Sequence, residues 1–185
     1  VTIEDPVEYP LDHVTQIPVN TAGTKDNTFG QLLRSVLRQD PDVILVGEIR
    51  DKETANIAIQ ASLTGHLVLS TLHTNDAASS VTRLVDIGIE SYKIAAALKG
   101  VVAQRLMRRL CSHCRELAVG QVPDRMQRFF PDQGTLYRGV GCAECSMTGY
   151  RGRLAIQEVL IATDEVERRI AGDESVERIH DGARE

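Results

Sequence analysis

Two short apolar runs, Val43-Ile44-Leu45-Val46 and Leu67-Val68-Leu69, restrict the fold more than any other feature of these 185 residues. Each is too short for a helix and too uniformly apolar for a strand with one wet face. Such runs read as strands buried on both faces of a parallel sheet. Between them Thr54, Ile57, Ala58 and Ala61 mark one face of a helix that ends near Thr64-Gly65. Strand, helix, strand in that order predicts an α/β layer fold.

The flanking segments extend the pattern. Val1 to Ile3 reads as the end of another buried strand, and Tyr9 to Val19, punctuated by Pro10 and Pro18, as extended or turning chain. Asn20 to Asn27 has the Gly, Thr and Asn content of a surface loop. Thr28 can then cap a helix to about Arg38, with Leu32, Leu33, Val36 and Leu37 at helical spacing. Asn75-Asp76 offers caps for a helix to about Asp86. Ile94, Leu98, Val102 and Leu106, four apart, predict a long helix from about Ser91 to Leu110. Leu154 to Leu160 reads as a short strand and the charged remainder as one or two exposed helices. No apolar run reaches the length of roughly 18 residues that a membrane-spanning helix needs. The chain opens at Val1, inside an apolar run and without an initiator Met or signal peptide, which reads as a fragment with residues missing upstream.

Charge bounds the partners. With 21 basic and 26 acidic residues the net charge is −5, whereas a nucleic-acid binder shows a basic surplus. Arg105, Arg108, Arg109, Arg115 and Arg125 nevertheless cluster. The end of a helix explains them through its dipole; the other account is a subunit or acidic-lipid contact.

Three polar clusters adjoin the strands. Asp40-Pro41-Asp42 leads into the first run, and Gly47-Glu48 closes it. A carboxylate at the C-terminal end of a buried strand stands where doubly wound sheets bind ligands. In a nucleotide hydrolase it orients or deprotonates the attacking water, or holds Mg²⁺ through its water shell. The bland alternative is a Glu48 that only caps the strand or pairs with Arg50. Glu4-Asp5 follows the first strand, either as further carboxylates in the same crevice or as a solvated turn. His66 and His73 bracket the second run, with Ser70, Thr71, Thr74 and Asn75 crowding its far end. Roughly 20 Å of strand, at about 3.3 Å per residue, keeps the two histidines from sharing a zinc ion. Arg34 and Arg38, four apart, fall on one face of the helix before Glu48; they either neutralise phosphoryl charge or are simply solvated.

The cysteines are paired as Cys111-Ser112-His113-Cys114 and Cys142-Ala143-Glu144-Cys145, with residues 115–141, 27 in all, between the pairs. Two C-x₂-C knuckles complete a tetrahedral four-thiolate shell, which leaves no open position and so suits structural zinc. His113 is a spare ligand, or more simply an exposed or supporting residue. Gly149 and Gly152 fit a tight turn back from the metal lobe. Tyr150, Arg151 and Arg153 either face a neighbouring subunit or pack under the lobe.

These stretches together resemble the acidic box, the atypical Walker B motif and the His box of the secretion-superfamily ATPases. Within that group the chain is similar to the assembly ATPases of type II secretion and type IV pili, from Thr2 to about Ile161. The segments 33–42 and 64–78, the cysteine pairs and Thr148-Gly149-Tyr150-Arg151-Gly152-Arg153 carry the likeness. The resemblance implies a partial RecA-like P-loop core over residues 1–110, an inserted tetracysteine zinc lobe over 111–153 and a C-terminal strand and helical segment over 154–185. It implies Glu48 as the Walker B glutamate, Glu4 and Asp5 near Mg²⁺ and water, His66 and His73 as sensors, and Arg34 and Arg38 at the nucleotide. Cys111, Cys114, Cys142 and Cys145 would hold zinc. It also implies ATP as cofactor, a homo-hexamer, platform and adaptor partners at the bacterial inner membrane, a cytoplasmic location, and no nucleic acid. No G-x-x-x-x-G-K-[ST] occurs in these residues, and the family carries it upstream, so the chain alone is expected to bind ATP weakly or not at all. Thr21 to Asn27 is slightly longer than the family's loop. Two other readings compete. A non-catalytic zinc-ribbon interaction module explains the cysteines but not the polar strand ends. A nucleic-acid translocase shares the sheet logic but not the acidity, nor the 4% aromatic content.

Overall fold

A computed structural model of the chain describes residues 1–19, 28–118 and 135–183. The loop read over Asn20 to Asn27 and Arg125 lie outside the described residues. The chain divides into two compact units, residues 1–103 with 158–185, and residues 104–157.

The first unit carries the expected α/β architecture. Strands β1 (Thr2–Glu4), β2 (Gln16–Pro18), β3 (Val43–Val46) and β4 (Leu67–Ser70) form a sheet in the order β2-β1-β3-β4. The pairs β1–β2, β1–β3 and β3–β4 are all parallel. Val43 aligns with Leu67 and Val46 with Ser70, while Ile3 aligns with Val46. The C-terminal ends of β1, β3 and β4 therefore reach the same edge.

Helix α1 (Phe29–Val36) begins where Thr28 accepts the Gln31 N–H at 3.3 Å, and tightens into a 3₁₀ turn, Leu37–Gln39. Helix α2 (Lys52–Leu63) is capped by Asp51, which accepts the Thr54 N–H at 2.8 Å. Ile3, Leu33, Ile44, Val46 and Ile57 are buried together, so α1 and α2 close one face of the sheet. The expectation of strands buried on both faces holds only on this side. Val43, Leu67 and Leu69 point the other way and are exposed, because among the described residues no helix covers that face.

Helices α3 (Ser79–Ile87) and α4 (Ser91–Ala97) follow, and the chain then departs from the expected long helix. Residues Gly100–Leu110 form strand β5, which pairs with β8 (Tyr150–Ile161). Leu98 already has extended backbone angles, and Gly100 and the β-branched Val101 and Val102 favour a strand. The four-residue stripe divides accordingly: Ile94 is 1% exposed, whereas Val102 is 61% exposed. Val101 and Ala103, alternating with it, pack onto the cluster that holds Ile94 and Leu160. The helix-dipole account of the arginines falls with the helix, since Arg105, Arg108 and Arg109 lie on β5 and Arg115 opens β6 (Arg115–Leu117).

β6 pairs antiparallel with β7 (Tyr137–Gly139) in the second unit. The charged C-terminal segment forms α5 (Asp164–Ala171) and α6 (Val176–Gly182). These helices are less exposed than expected, for Val166, Ile170 and Ile179 join the core of the first unit. Among the described residues no helix is long and apolar enough to cross a membrane.

Ile44 lies on the inner strand β3 and is fully buried. Ile44→Ala is expected to lower the unfolding free energy by about 2–5 kcal/mol, read from chemical denaturation. A loss below about 1 kcal/mol would mean that α1 and α2 are not packed on this strand.

Candidate functional site

The parallel register gathers three groups at one edge of the sheet. Glu4 ends β1, Glu48 stands two residues beyond β3, and the segment after β4 carries His73. The Gly47 N–H donates to the Ile3 carbonyl at 2.7 Å, locking the two strand ends together. A Cβ at Gly47 would sit 3.0 Å from that carbonyl oxygen, so a side chain here would push the strands apart.

Glu48 has a side chain only 13% exposed and pairs through Oε2 with Arg50 Nε. His73 Nε2 lies 3.5 Å from the same oxygen, although the histidine itself is 82% exposed. Thr71 fixes the backbone on both sides of Glu48: its hydroxyl donates to the Gly47 carbonyl at 2.7 Å, and its carbonyl accepts the Ile49 N–H at 3.1 Å. Glu4 Oε1 accepts from Thr2 Oγ1 at 2.6 Å and from Gln16 Nε2 at 2.9 Å. Those two donors, Thr2 first, hold its carboxyl below the ordinary 4.5. Asp5 is exposed beside it.

Not every sequence-selected residue reaches this edge. His66 precedes β4 and so stands at the opposite end of that strand from His73. Its Nδ1 lies 3.1 Å from the Ala61 carbonyl, at the close of α2. Arg34 pairs with Glu53 Oε1 at 3.0 Å, and Arg38 donates to Ser35 Oγ at 3.3 Å. Neither contact involves Glu48. Thr2 and Gln16 support Glu4 without any sequence signal, because a hydroxyl or amide partner leaves no motif, and Thr71 stands out in the sequence only as one of several polar groups after β4. Arg50 did stand beside Glu48 in the sequence reading, as the partner in its bland version.

The second unit holds all four cysteines. Their sulfurs lie within 4.8 Å of one another. Cys111–Cys142 is 3.9 Å, and Cys114–Cys145 and Cys142–Cys145 are each 3.8 Å. Those separations exclude a disulfide, and they match the edge of about 3.8 Å that four Zn–S bonds of about 2.3 Å set in a tetrahedron. Cys111 and Cys145 are buried. Burial pushes the Cys114 thiol up to about 11. Burial also works against ionising Cys145, but the Cys142 and Gly149 N–H groups, at 3.3 and 3.2 Å, together with hydrogen bonds from the Cys142 and Cys114 thiols, outweigh it and bring that thiol down to about 6. Gly149 has φ +76° and approaches Gly139 so closely that a Cβ would lie 2.9 Å from the Gly139 carbonyl carbon. His113 is exposed and outside the cluster. Tyr150 packs locally, with the Arg108 guanidinium 4.1 Å from its ring centre, and Arg151 pairs with Glu144 at 2.9 Å. The donor set and spacing fit a zinc ion.

The family model described as type II/IV secretion system protein matches residues 1–185. The chain belongs to that family. Among its relatives in the type II/IV secretion family, the type II secretion system protein HxcR of Pseudomonas aeruginosa is 50% identical over 184 residues, covering 100% of this chain and 36% of HxcR. The type IV pilus assembly ATPase PilB of Thermus thermophilus is 50% identical over 189 residues, covering 99% of this chain and 21% of PilB. The chain thus spans 36% and 21% of these two curated relatives. Among solved structures, the pilus retraction motor PilT with bound ADP aligns at a TM-score of 0.66 and 31% identity, over 97% of this chain and 43% of that one.

The hydrogen bonds to Glu4 carry a pH signature. A carboxyl depressed by folding contributes stability that is complete above its unfolded pKa, near 4.5, and is lost as pH falls through the lower folded value. Thr2→Val with Gln16→Ala is therefore expected to flatten the dependence of stability on pH below 4.5, measured by denaturation at a series of pH values. An acid limb as steep as that of the unaltered chain would show that these bonds do not form in solution.

Proposed function

We propose that this chain supplies the water-activating half of an ATP-hydrolysing site in a motor that drives type II protein secretion or type IV pilus assembly. The observation that carries the reading is the convergence of Glu4, Glu48 and His73 at one sheet edge, in a chain half identical to a pilus assembly ATPase. On this reading Glu48 orients and deprotonates the attacking water. Its ion-pair contacts to Arg50 and His73 use Oε2, which leaves Oε1 for the water on this reading. Glu4, preset as a carboxylate by Thr2 and Gln16, and the exposed Asp5 hold the water shell of Mg²⁺, which when bound spreads the phosphate charge. His73 senses the nucleotide through Glu48. His66, tied to Ala61, acts by setting the turn into β4. Arg34 and Arg38, which contact Glu53 and Ser35 within this chain, neutralise phosphoryl charge in the assembled site.

No phosphate-cradling glycine motif lies in these residues. The 185 residues alone bind ATP weakly or not at all, and activity belongs to a protein of its relatives' full length, working as a homo-hexamer. Its partners are platform and adaptor proteins at the cytoplasmic side of the bacterial inner membrane. The four cysteines hold one structural Zn²⁺, a role supported by the tetrahedral spacing of their sulfurs.

Two measurements test this. In the full-length protein, Glu48→Gln is expected to retain ATP but to lose at least about a hundredfold in turnover, since the amide cannot accept the water's proton. Turnover at the unaltered rate would remove Glu48 from the chemistry. Metal analysis of the purified chain is expected to give about one zinc per molecule, with Cys142→Ser reducing it and loosening residues 104–157. A fully folded, metal-free preparation would overturn the zinc assignment.

A further inference from the structure

We infer that Glu158, on β8, is a positioning residue that holds the Thr71–Ala78 segment so that His73 reaches Glu48; this rests on the ATPase reading above. The segment has no regular structure. His73 is 82% exposed and, among the described residues, its contact within the site is the 3.5 Å approach to Glu48. Packing cannot hold a side chain that exposed, so its place is set by the backbone that carries it.

That backbone is anchored at two ends. At the first, Thr71 binds Gly47 and Ile49 on either side of Glu48. At the second, the chain turns into α3. There Asp76 accepts the Ser79 N–H at 2.8 Å and the Ser79 hydroxyl at 2.7 Å, and Thr74 Oγ1 lies 3.0 Å from Ser80 Oγ. These bonds shape the turn locally, while Ala77 and Ala78 are buried in the core of the unit and Leu72 packs against it. To that apolar contact Glu158 adds a directional one, for its Oε2 accepts the Ala77 N–H at 3.2 Å across 81 residues of sequence. Ala77 is fully buried, so its N–H needs an acceptor within the protein, and a carboxylate is a stronger one than a neutral group. The other oxygen, Oε1, lies 3.5 Å from His180 Nε2 on α6. Glu158 thereby joins the C-terminal strand and helix to the segment that delivers His73.

The test is a double-mutant cycle on ATP hydrolysis by the full-length protein, with Glu48→Gln as a parallel control. Glu158→Ala is expected to lower kcat about tenfold and to leave KM for ATP within about twofold. Glu158→Gln keeps an acceptor oxygen for Ala77 and is expected to retain more than half of kcat. Combining Glu158→Ala with His73→Ala is expected to be no slower than the slower single variant, because both remove the same contact. Should Glu158→Ala fail to fold, Glu158→Asp, which withdraws the carboxylate by one methylene, takes its place in the cycle. The inference is overturned if the two effects multiply, if Glu158→Gln falls as far as Glu158→Ala, or if Glu158→Ala has unaltered kcat. A multiplying cycle with an inactive Glu48→Gln rejects only the role of Glu158. An active Glu48→Gln removes Glu48 from the chemistry, and failure of the unaltered full-length protein to hydrolyse ATP rejects the ATPase reading itself.

Discussion

The hydrogen bond from the Gly47 amide to the Ile3 carbonyl, 2.7 Å long, sets the geometry on which the site depends. It continues the parallel ladder between β1 and β3 one step past the last paired residues and aligns the two strand ends. Parallel pairing is what makes the alignment useful, since strands running the same way deliver their C-terminal residues to one edge. An antiparallel partner would have carried Glu4 to the far side. Glycine at 47 is part of the same constraint, because the Ile3 oxygen comes within 3.0 Å of where a Cβ would stand. The backbone thus brings the ends of β1 and β3, and with them residues 4 and 48, to one edge.

That edge was legible in the sequence to the extent that it lies on strands. Val43–Val46 has the residues and the bounds that its apolar run announced, and Glu48 follows directly. The α1 cap at Thr28 was equally plain, because a side-chain cap is a local interaction. The Ser91–Leu110 stretch misled because a stripe of residues four apart also contains alternation: Val101 and Ala103 face the core while Val102 faces out. Choosing between the two periods required β8, some fifty residues away, and nothing local supplies that information. The same limit applies to β4. A continuous apolar run states that both faces are apolar, not which of them α1 and α2 cover.

Within the site, residue type was easier to read than partnership. His66 and His73 look equivalent in sequence, flanking one strand. A parallel strand has two chemically different ends, and only His73 stands at the end shared with Glu48. His66 instead meets the Ala61 carbonyl where α2 stops. Arg34 was chosen for its charge, yet the geometry gives it Glu53 at the start of α2. Thr71 shows the converse. It has no charge and is one of several polar groups after β4, but its two bonds to the backbone hold Glu48 from both sides.

The two units obtain rigidity by different means. In the first, apolar burial does most of the ordering, and the polar site is held at the rim of that core. In the second, β6 and β7 are three residues each and largely exposed, a pairing too short to be stable alone. Besides the pairing of β5 with β8, the described residues of this unit contribute four sulfurs within 4.8 Å and backbone N–H groups aimed at two of them. Gly149 joins these features, since its N–H reaches Cys145 only because its backbone lies against Gly139 at a left-handed φ. Among the described residues of this unit the buried side chains are those of Cys111 and Cys145, so on the zinc reading its order leans on what the thiols bind. The sheet edge does not share that dependence, because Glu4, Glu48 and Thr71 are fixed by hydrogen bonds that lie wholly within the first unit.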